Sequence, residues 1–459
     1  MGEPNATAII DASPMSFRQW MAVAIMVLLN ALDGFDVLSS AFAGPGIKAE
    51  WHLGPDGLGL VLSMELIGMG VGSVLLGGVA DRLGRRPAIL ACLALMVVGM
   101  FGAGTATSAP ILSAWRVLTG LGIGGMLAAV NALTHELSNA ARRSIAMAVM
   151  VIGYPLGAFL GGLIVSVLLA HHGWRVVFMF GGTMTLIMVP LFVLLVPEPP
   201  AWLERARPRA LLGDAHPRGA LARLNRSLAA LGHVPLAAMP PAPAIAPRPG
   251  IAVLFGPRHR RVTLLVAFAY AAHAMAFYFI LKMAPAILSD PQFAGLHYTR
   301  AEGARALAIA NLGGAIGGGT FGWLMHRFGT RRATLGALAL SFVMVASFGL
   351  GQPTLTAWIV AIAAIACVTN AAIVGFYAVF ASLYPPELKA TGTGFALTIG
   401  RIGAALAPIA SGALFARHIP LGLVAVIMAC GSLVALFLFV GLPTRRTDGH
   451  DPDLTGADL

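Results

Sequence analysis

Apolar stretches of about twenty residues or more follow one another through nearly the whole chain of 459 residues, and they constrain its fold more than any other feature. About twenty residues of helix are what a ~30 Å hydrocarbon core demands. Apolar runs between polar breaks lie at 20–45, 58–80, 87–106, 110–135, 143–169 and 174–196. A second series lies at 260–286, 303–325, 332–350, 354–380, 390–416 and 419–442. Breaks without charge, such as Ala109-Pro110, fix their boundaries least well. Charged residues make up 11% of the chain, against about 25% in soluble domains. The 55 glycines suit helices that pack backbone to backbone in lipid. The pattern predicts an all-α membrane protein with twelve transmembrane helices.

A net charge of +11 could point to nucleic acid, but the arginines fall between apolar runs and read as a topology signal instead. Arg82, Arg85, Arg86, Arg142, Arg143, Arg327, Arg331, Arg332, Arg445 and Arg446 collect on one side, as does the arginine-rich 197–259 connection. The opposite loops carry few cations: Lys48, Arg175, Arg300, Arg305 and Arg417. Cytoplasmic loops are the positive ones, so a multi-pass inner-membrane protein with both termini cytoplasmic is expected. Residues 1–19 contain Glu3 and Asp11 without a basic leader and read as a cytoplasmic segment, not a signal peptide. Residues 443–459 read as a disordered cytoplasmic tail. Cys92, Cys367 and Cys430 lie in apolar runs without metal-ligand spacing, so neither a disulfide nor a metal site is expected.

The chain repeats itself. Gly77-Gly78-Val79-Ala80-Asp81-Arg82-Leu83-Gly84-Arg85-Arg86 closes the second span, and Gly322, Arg327, Gly329 and Arg331 repeat Gly77, Arg82, Gly84 and Arg86 at one offset after the eighth. Two six-helix bundles follow, 20–196 and 260–442, joined by a cytoplasmic linker at 197–259, an organisation suited to alternating access. Within the linker, Leu221, Leu224, Leu228 and Leu231 share a helical face, which reads as an amphipathic helix on the inner leaflet or a plain spacer. The Pro- and Ala-rich stretch 235–249 reads as a flexible tether.

On these residues the chain resembles the major facilitator superfamily over nearly its whole length. Gly77–Arg86 matches that superfamily's loop 2–3 signature, and Arg116-Val117-Leu118-Thr119-Gly120-Leu121-Gly122-Ile123-Gly124 its fourth-helix signature. Asp33-Gly34-Phe35-Asp36 in the first span and Gly400-Arg401-Ile402-Gly403 in the eleventh narrow the resemblance to the aromatic acid:proton symporter family. The resemblance implies two pseudo-symmetric six-helix bundles that import an aromatic carboxylic acid, such as a hydroxybenzoate, together with protons.

An ionisable side chain at the bilayer centre costs about 2.5–3.5 kcal/mol on insertion scales, so each calls for a function. Asp33 and Asp36 lie near mid-depth, three positions apart on one helix face. Two carboxylates that close resist simultaneous ionisation, which suits proton coupling; helix capping is the alternative. Arg401 and Lys282 are the opposing cations, and the repeat offset aligns Lys282, one of three lysines, with Val37. The expectation is that protonation of Asp33 or Asp36 frees Arg401 or Lys282 for the substrate carboxylate, which an arginine fork binds bidentately. The alternatives are snorkelling for Lys282 and a structural salt bridge for Arg401.

Among the aromatic side chains available to stack on a benzoate-like ring, Phe35, Tyr278 and Tyr377 are the candidate substrate contacts. Glu65 and His273 read as lining the path or joining the proton relay, with packing the alternative for His273. A cytoplasmic gate is expected from Gly77, Asp81, Arg82, Gly84, Arg85, Arg86, Glu136 and Arg327. Nucleotide-binding, metal and nucleophile motifs do not appear, so no enzyme activity or cofactor is expected and an ion gradient is the energy source. The expected partners are a small organic anion, protons and the lipid bilayer, with no nucleic acid, and the chain is read as a monomer.

Two other readings remain at this stage. A proton-coupled drug or metabolite exporter of the same fold would carry Gly-x-x-x-Gly-Pro-x-x-Gly-Gly in the fifth span. Here Gly153, Gly157, Gly161 and Gly162 are present, but Ala158 replaces the proline. A non-transporting membrane sensor would need an appended signalling domain, and none is visible.

Overall fold

The computed structural model describes residues 5–205, 217–239 and 250–442. A short helix α1 (Ala6–Ala12) precedes six long ones: α2 (Phe17–Glu50), α3 (Pro55–Leu83), α4 (Arg85–Gly104), α5 (Ala109–Leu137), α6 (Arg143–His171) and α7 (Arg175–Leu195). The connection carries α8 (Pro200–Arg205) and α9 (Pro217–Ala230). The second series is α10 (Arg260–Ser289), the single turn α11 (Pro291–Ala294), α12 (Arg300–Phe328), α13 (Thr330–Ser347), α14 (Leu355–Leu383), α15 (Pro386–Ala416) and α16 (Leu421–Val440). The tail 443–459 and most of the 235–249 tether lie outside the described residues.

Among the described residues, eleven helices are long and apolar enough to cross a membrane. The remaining expected span, the eighth by position (α12), is equally long but diluted by Arg300, Glu302, Arg305 and Asn311 and by many alanines and glycines. Its small residues compensate, because Ala304, Ala308, Gly314 and Gly317 are buried where α12 packs against α14 and α6. Large apolar side chains such as Leu160, Val167, Leu186, Leu194 and Phe437 point outward, as a lipid-facing surface requires.

Packing within each bundle depends on close backbone approach. In the first, α2 packs on α6 and α3 on α5; in the second, α12 packs on α14 and α10 on α15. A Cβ on Gly157 would collide with the Ala31 carbonyl, and one on Gly34 with that of Tyr154, so glycine is what lets α2 and α6 meet. The fifth-span glycines that raised the exporter reading therefore serve helix packing.

The linker departs from the expectation. Leu224, Leu228 and Leu231 on or just beyond α9 are fully buried, but protein buries them rather than lipid. Leu224 and Leu228 pack with Ala6, Ile9, Leu203 and Met239, while Leu231 joins the core of the first bundle. Glu204 accepts from the Ala6 amide at 2.5 Å, Ser16 Oγ donates to the Leu231 carbonyl at 2.5 Å, and Arg143 ion-pairs with Asp11 at 2.5 Å. The amphipathic face is real, and it is covered by α8 together with α1, which apolar spacing alone does not reveal.

The bundles meet along α3 with α15, α6 with α12 and α2 with α10. Ser63 Oγ donates to the Ala405 carbonyl at 2.7 Å, and Arg401 Nη1 to that of Met69 at 2.9 Å. Gly59 abuts Pro408, and Gly162 abuts Ala308. These contacts run from mid-helix toward the face where α2 and α10 end, here called the far face. Toward the opposite, linker face, a Cβ added at Gly77, Gly78, Gly322 or Gly394 would meet nothing within 4 Å.

Candidate functional site

Six ionisable side chains gather mid-bundle. Asp33 and Asp36 on α2, Glu65 on α3, Arg116 on α5 and Lys282 on α10 are all buried, and Arg401 on α15 is partly buried. With all six ionised, three acids balance three bases.

Arg116 and Glu65 form the centre. Arg116 ion-pairs with Glu65 Oε2 and donates to the Asp36 carbonyl at 2.9 Å, while its guanidinium lies 5.2 Å from the centre of the Phe178 ring. Lys282 reaches in from the other bundle. Its Nζ bonds to the Val37 carbonyl and lies 3.4 Å from Glu65 Oε2. Ser40 Oγ donates to the same Glu65 oxygen at 3.2 Å. Lys282 and Val37 stand 245 residues apart, the internal repeat's own offset, so repeat-related positions of α2 and α10 touch each other. Glu65 thus links three helices and both bundles.

The neighbouring aspartates are left without such support. Neither Asp36 carboxylate oxygen, nor Asp33 Oδ1, has a hydrogen-bond partner among the described residues. Asp33 faces Arg401 of the other bundle closely enough to interact electrostatically, and Arg401, Tyr278 and Tyr377 interact in the same way. Tyr377 is 47% exposed, with its hydroxyl 3.3 Å from that of Tyr270. One carboxylate, one fork-shaped cation and two phenols therefore border the space between α2, α10, α14 and α15. Arg401 keeps donor capacity, since the structure gives its guanidinium one bond, to the Met69 carbonyl.

Other residues singled out by sequence take different places. Phe35 is 4% exposed and packs edge-on to Phe180, stacked with Phe42, inside the first bundle rather than against that space. His273 is buried and satisfied, bonding Ser432 Oγ and the Thr369 carbonyl at 3.0 Å each, a packing role. The structure joins Glu65 to Arg116, which sequence treated only as part of a signature. The signal was available, because an arginine two turns inside an apolar span, like an aspartate there, calls for a partner.

At the linker face, Arg85 Nη2 approaches Glu136 Oε1 at 3.6 Å, and Arg86 Nη2 donates to the Val193 carbonyl at 2.5 Å. The side chains of Asp81 and Arg82 lie outside the described ones, and Arg327 is exposed. Glu198 was missed. Its carboxylate accepts from the Arg85 amide at 2.6 Å and the Arg86 amide at 3.1 Å, capping the first turn of α4. Gly84, at φ +114°, turns the chain sharply enough for that approach. Burial pushes the Glu198 carboxyl up to about 7, against the pull of the Arg85 and Arg86 amides and guanidinium groups.

Comparison with known proteins agrees with this architecture. The family described as Major Facilitator Superfamily matches over residues 24–363 and 264–456, and the chain belongs to it. It is 30% identical to a gallate transporter of Pseudomonas putida over 95% of this chain and 91% of that one. It is also 30% identical to the 4-hydroxybenzoate transporter PcaK of Pseudomonas aeruginosa, over 88% and 87% of the two chains. A gentisate transporter of Corynebacterium glutamicum is 26% identical over 97% and 94%. The xylose transporter XylE from E. coli, in a partially occluded inward-open conformation, shares the fold at TM-score 0.68 and 16% identity, over 93% of this chain and 98% of that one. The protein is a membrane transporter, not an enzyme.

Proposed function

We propose that this transporter imports a small aromatic carboxylic acid together with protons, by alternating access of its two bundles. The observation that carries the reading is the grouping of a partly buried Arg401 with two phenols, Tyr278 and Tyr377, beside Asp33, whose Oδ1 has no hydrogen-bond partner among the described residues. Gallate, 4-hydroxybenzoate and gentisate, named for the relatives, each combine one carboxylate with a hydroxylated ring. Arg401 binds the carboxylate bidentately, and Tyr278 and Tyr377 meet the ring and its hydroxyls. Lys282 becomes available to a carboxylate only by exchanging its Glu65 partner.

Asp33 and Asp36 are the proton-coupling pair. A carboxyl group without hydrogen bonds in a dry interior is where a travelling proton can reside, and a neutral cluster accepts an anion plus a proton without net charge burial. Arginine distribution supports an inner-membrane orientation with the linker face cytoplasmic. On that orientation this conformation is closed to the outside, and Gly77, Asp81, Arg82, Gly84, Arg85, Arg86, Glu136 and Arg327 belong to the cytoplasmic gate. The chain is proposed to work as a monomer, since each bundle pair forms a complete path.

The test is uptake of labelled gallate, 4-hydroxybenzoate, gentisate and an aliphatic dicarboxylate into cells, with and without a protonophore. Accumulation of at least one aromatic acid, abolished by the protonophore, is expected. Protonophore-insensitive uptake, or exclusion of the acid from energised cells, would reject the reading in favour of a uniporter or an exporter.

A further inference from the structure

The far face holds a second cationic centre, about 18 Å along α2 from Asp36 at the usual helical rise. Lys48, 7% exposed near the end of α2, ion-pairs with Asp290 at the end of α10 and donates to Gln292 Oε1 at 2.6 Å. Its ammonium also lies 5.4 Å from the centre of the Phe293 ring. Asp290 is itself fixed, since its side chain caps α11 by accepting from the Gln292 amide at 3.0 Å. Lys48 belongs to the first bundle; Asp290, Gln292 and Phe293 all belong to the second. The group therefore spans the seam between bundles at the face where they are closed together.

An open cavity of about 460 Å³ sits directly over this seam, lined by Lys48, His52, Asp290, Gln292 and Arg300 among others. Its charged lining is two cations, Lys48 and Arg300, and one carboxylate, Asp290; Glu50, outside that lining and paired with Arg175, also interacts with Arg300. Any motion that parts the bundles at this face separates Lys48 from Asp290. It leaves a largely buried ammonium short of an anion, which is costly. A carboxylate of the same geometry as the Asp290 side chain can restore the pair.

We propose that Lys48 is an outer carboxylate-docking site that also latches the far face: Asp290 holds its ammonium when that face is closed, and the carboxylate of an incoming organic anion replaces Asp290 when it is open. The latch stands on geometry alone; the carboxylate role rests on the anion-import reading above. Substrate would thus compete with an internal carboxylate for one cation, and opening and capture would be a single exchange of partners.

The two residues then have opposite effects on capture and the same effect on opening, which a merely structural bridge would not produce. In a background with Cys92, Cys367 and Cys430 replaced, Ser63→Cys places a thiol on the closed α3–α15 contact. Its labelling by a membrane-impermeant maleimide in right-side-out vesicles reads far-face opening without any substrate. Asp290→Asn and Lys48→Gln should each raise labelling by about threefold or more, as loss of a partly buried ion pair implies. With labelled 4-hydroxybenzoate as probe, Asp290→Asn should lower the external KM about threefold, and Lys48→Gln should raise it about fivefold. Lys48→Arg should stay near wild type in both readouts.

Unchanged labelling in Asp290→Asn would overturn the latch. KM shifts of the same sign in both variants would overturn the docking role. If wild type moves no aromatic acid while labelling behaves as stated, the import reading and the docking role fall together and the latch stands.

Discussion

Asp36 and Glu65 are both buried carboxylates, and the structure gives them opposite surroundings. Glu65 ties Arg116 to Lys282, whereas Asp36 offers two oxygens without a protein partner. Glu65→Gln should therefore leave two buried cations short of a counter-charge and cost about 3–5 kcal/mol, the usual penalty for breaking a buried pair. Asp36→Asn breaks no hydrogen-bonded pair, only a weaker through-space attraction to Arg116, and should fold normally while losing proton coupling. Thermal unfolding of the two detergent-purified variants checks this, with only Glu65→Gln lowered relative to wild type. Arg401→Lys keeps the charge but loses the planar fork, so the KM for 4-hydroxybenzoate should rise by about tenfold. An unchanged KM would remove Arg401 from the substrate site. Sequence made the charges legible because each is expensive in lipid, and it singled out Asp33, Asp36, Lys282 and Arg401, which the structure gathers in one region. It left their partners open, since pairing depends on how each helix is rotated about its axis. A one-residue change in facing, about 100°, decides whether Lys282 meets Glu65 or a ligand.

Among the helices, the strongest local determinants are close backbone contacts and end caps. Gly157→Val would drive a branched side chain into the Ala31 carbonyl where α6 crosses α2. Overpacking of this kind costs about 1–3 kcal/mol and should show as a lower yield of folded protein by size-exclusion chromatography. At the start of α4, burial raises Glu198 to about 7, above the ordinary glutamate value of 4.5. The folded chain therefore binds the proton more tightly than the unfolded one, and Glu198 favours folding progressively as pH falls from about 7 toward 4.5. Wild type should gain thermal stability relative to Glu198→Gln between pH 7.5 and pH 5.5; a constant difference would contradict this. Helix number was readable from apolar run length, and α12 was found by position despite its weaker hydropathy. The α9 leucine face was readable too, but not its partner. Nothing in the spacing of Leu224 and Leu228 distinguishes a lipid surface from the apolar sides of α8 and α1, the latter more than two hundred residues away.

For the whole molecule, the bundles touch from mid-helix to the far face, while toward the linker face a Cβ added at Gly77, Gly78, Gly322 or Gly394 would meet no neighbour. The internal repeat made two halves legible, and the Val37–Lys282 contact shows the repeat meeting itself across the seam. Which face is closed could not be read from sequence, because both states of an alternating-access carrier use the same residues. The central claim is that the acid moves with protons through the Asp33–Asp36 pair, and reconstituted proteoliposomes test it most directly. With an inwardly directed proton gradient, the wild-type protein should accumulate labelled 4-hydroxybenzoate above the external concentration. Asp36→Asn should still exchange internal for external substrate but accumulate none. Gradient-driven accumulation by Asp36→Asn equal to wild type would contradict the account.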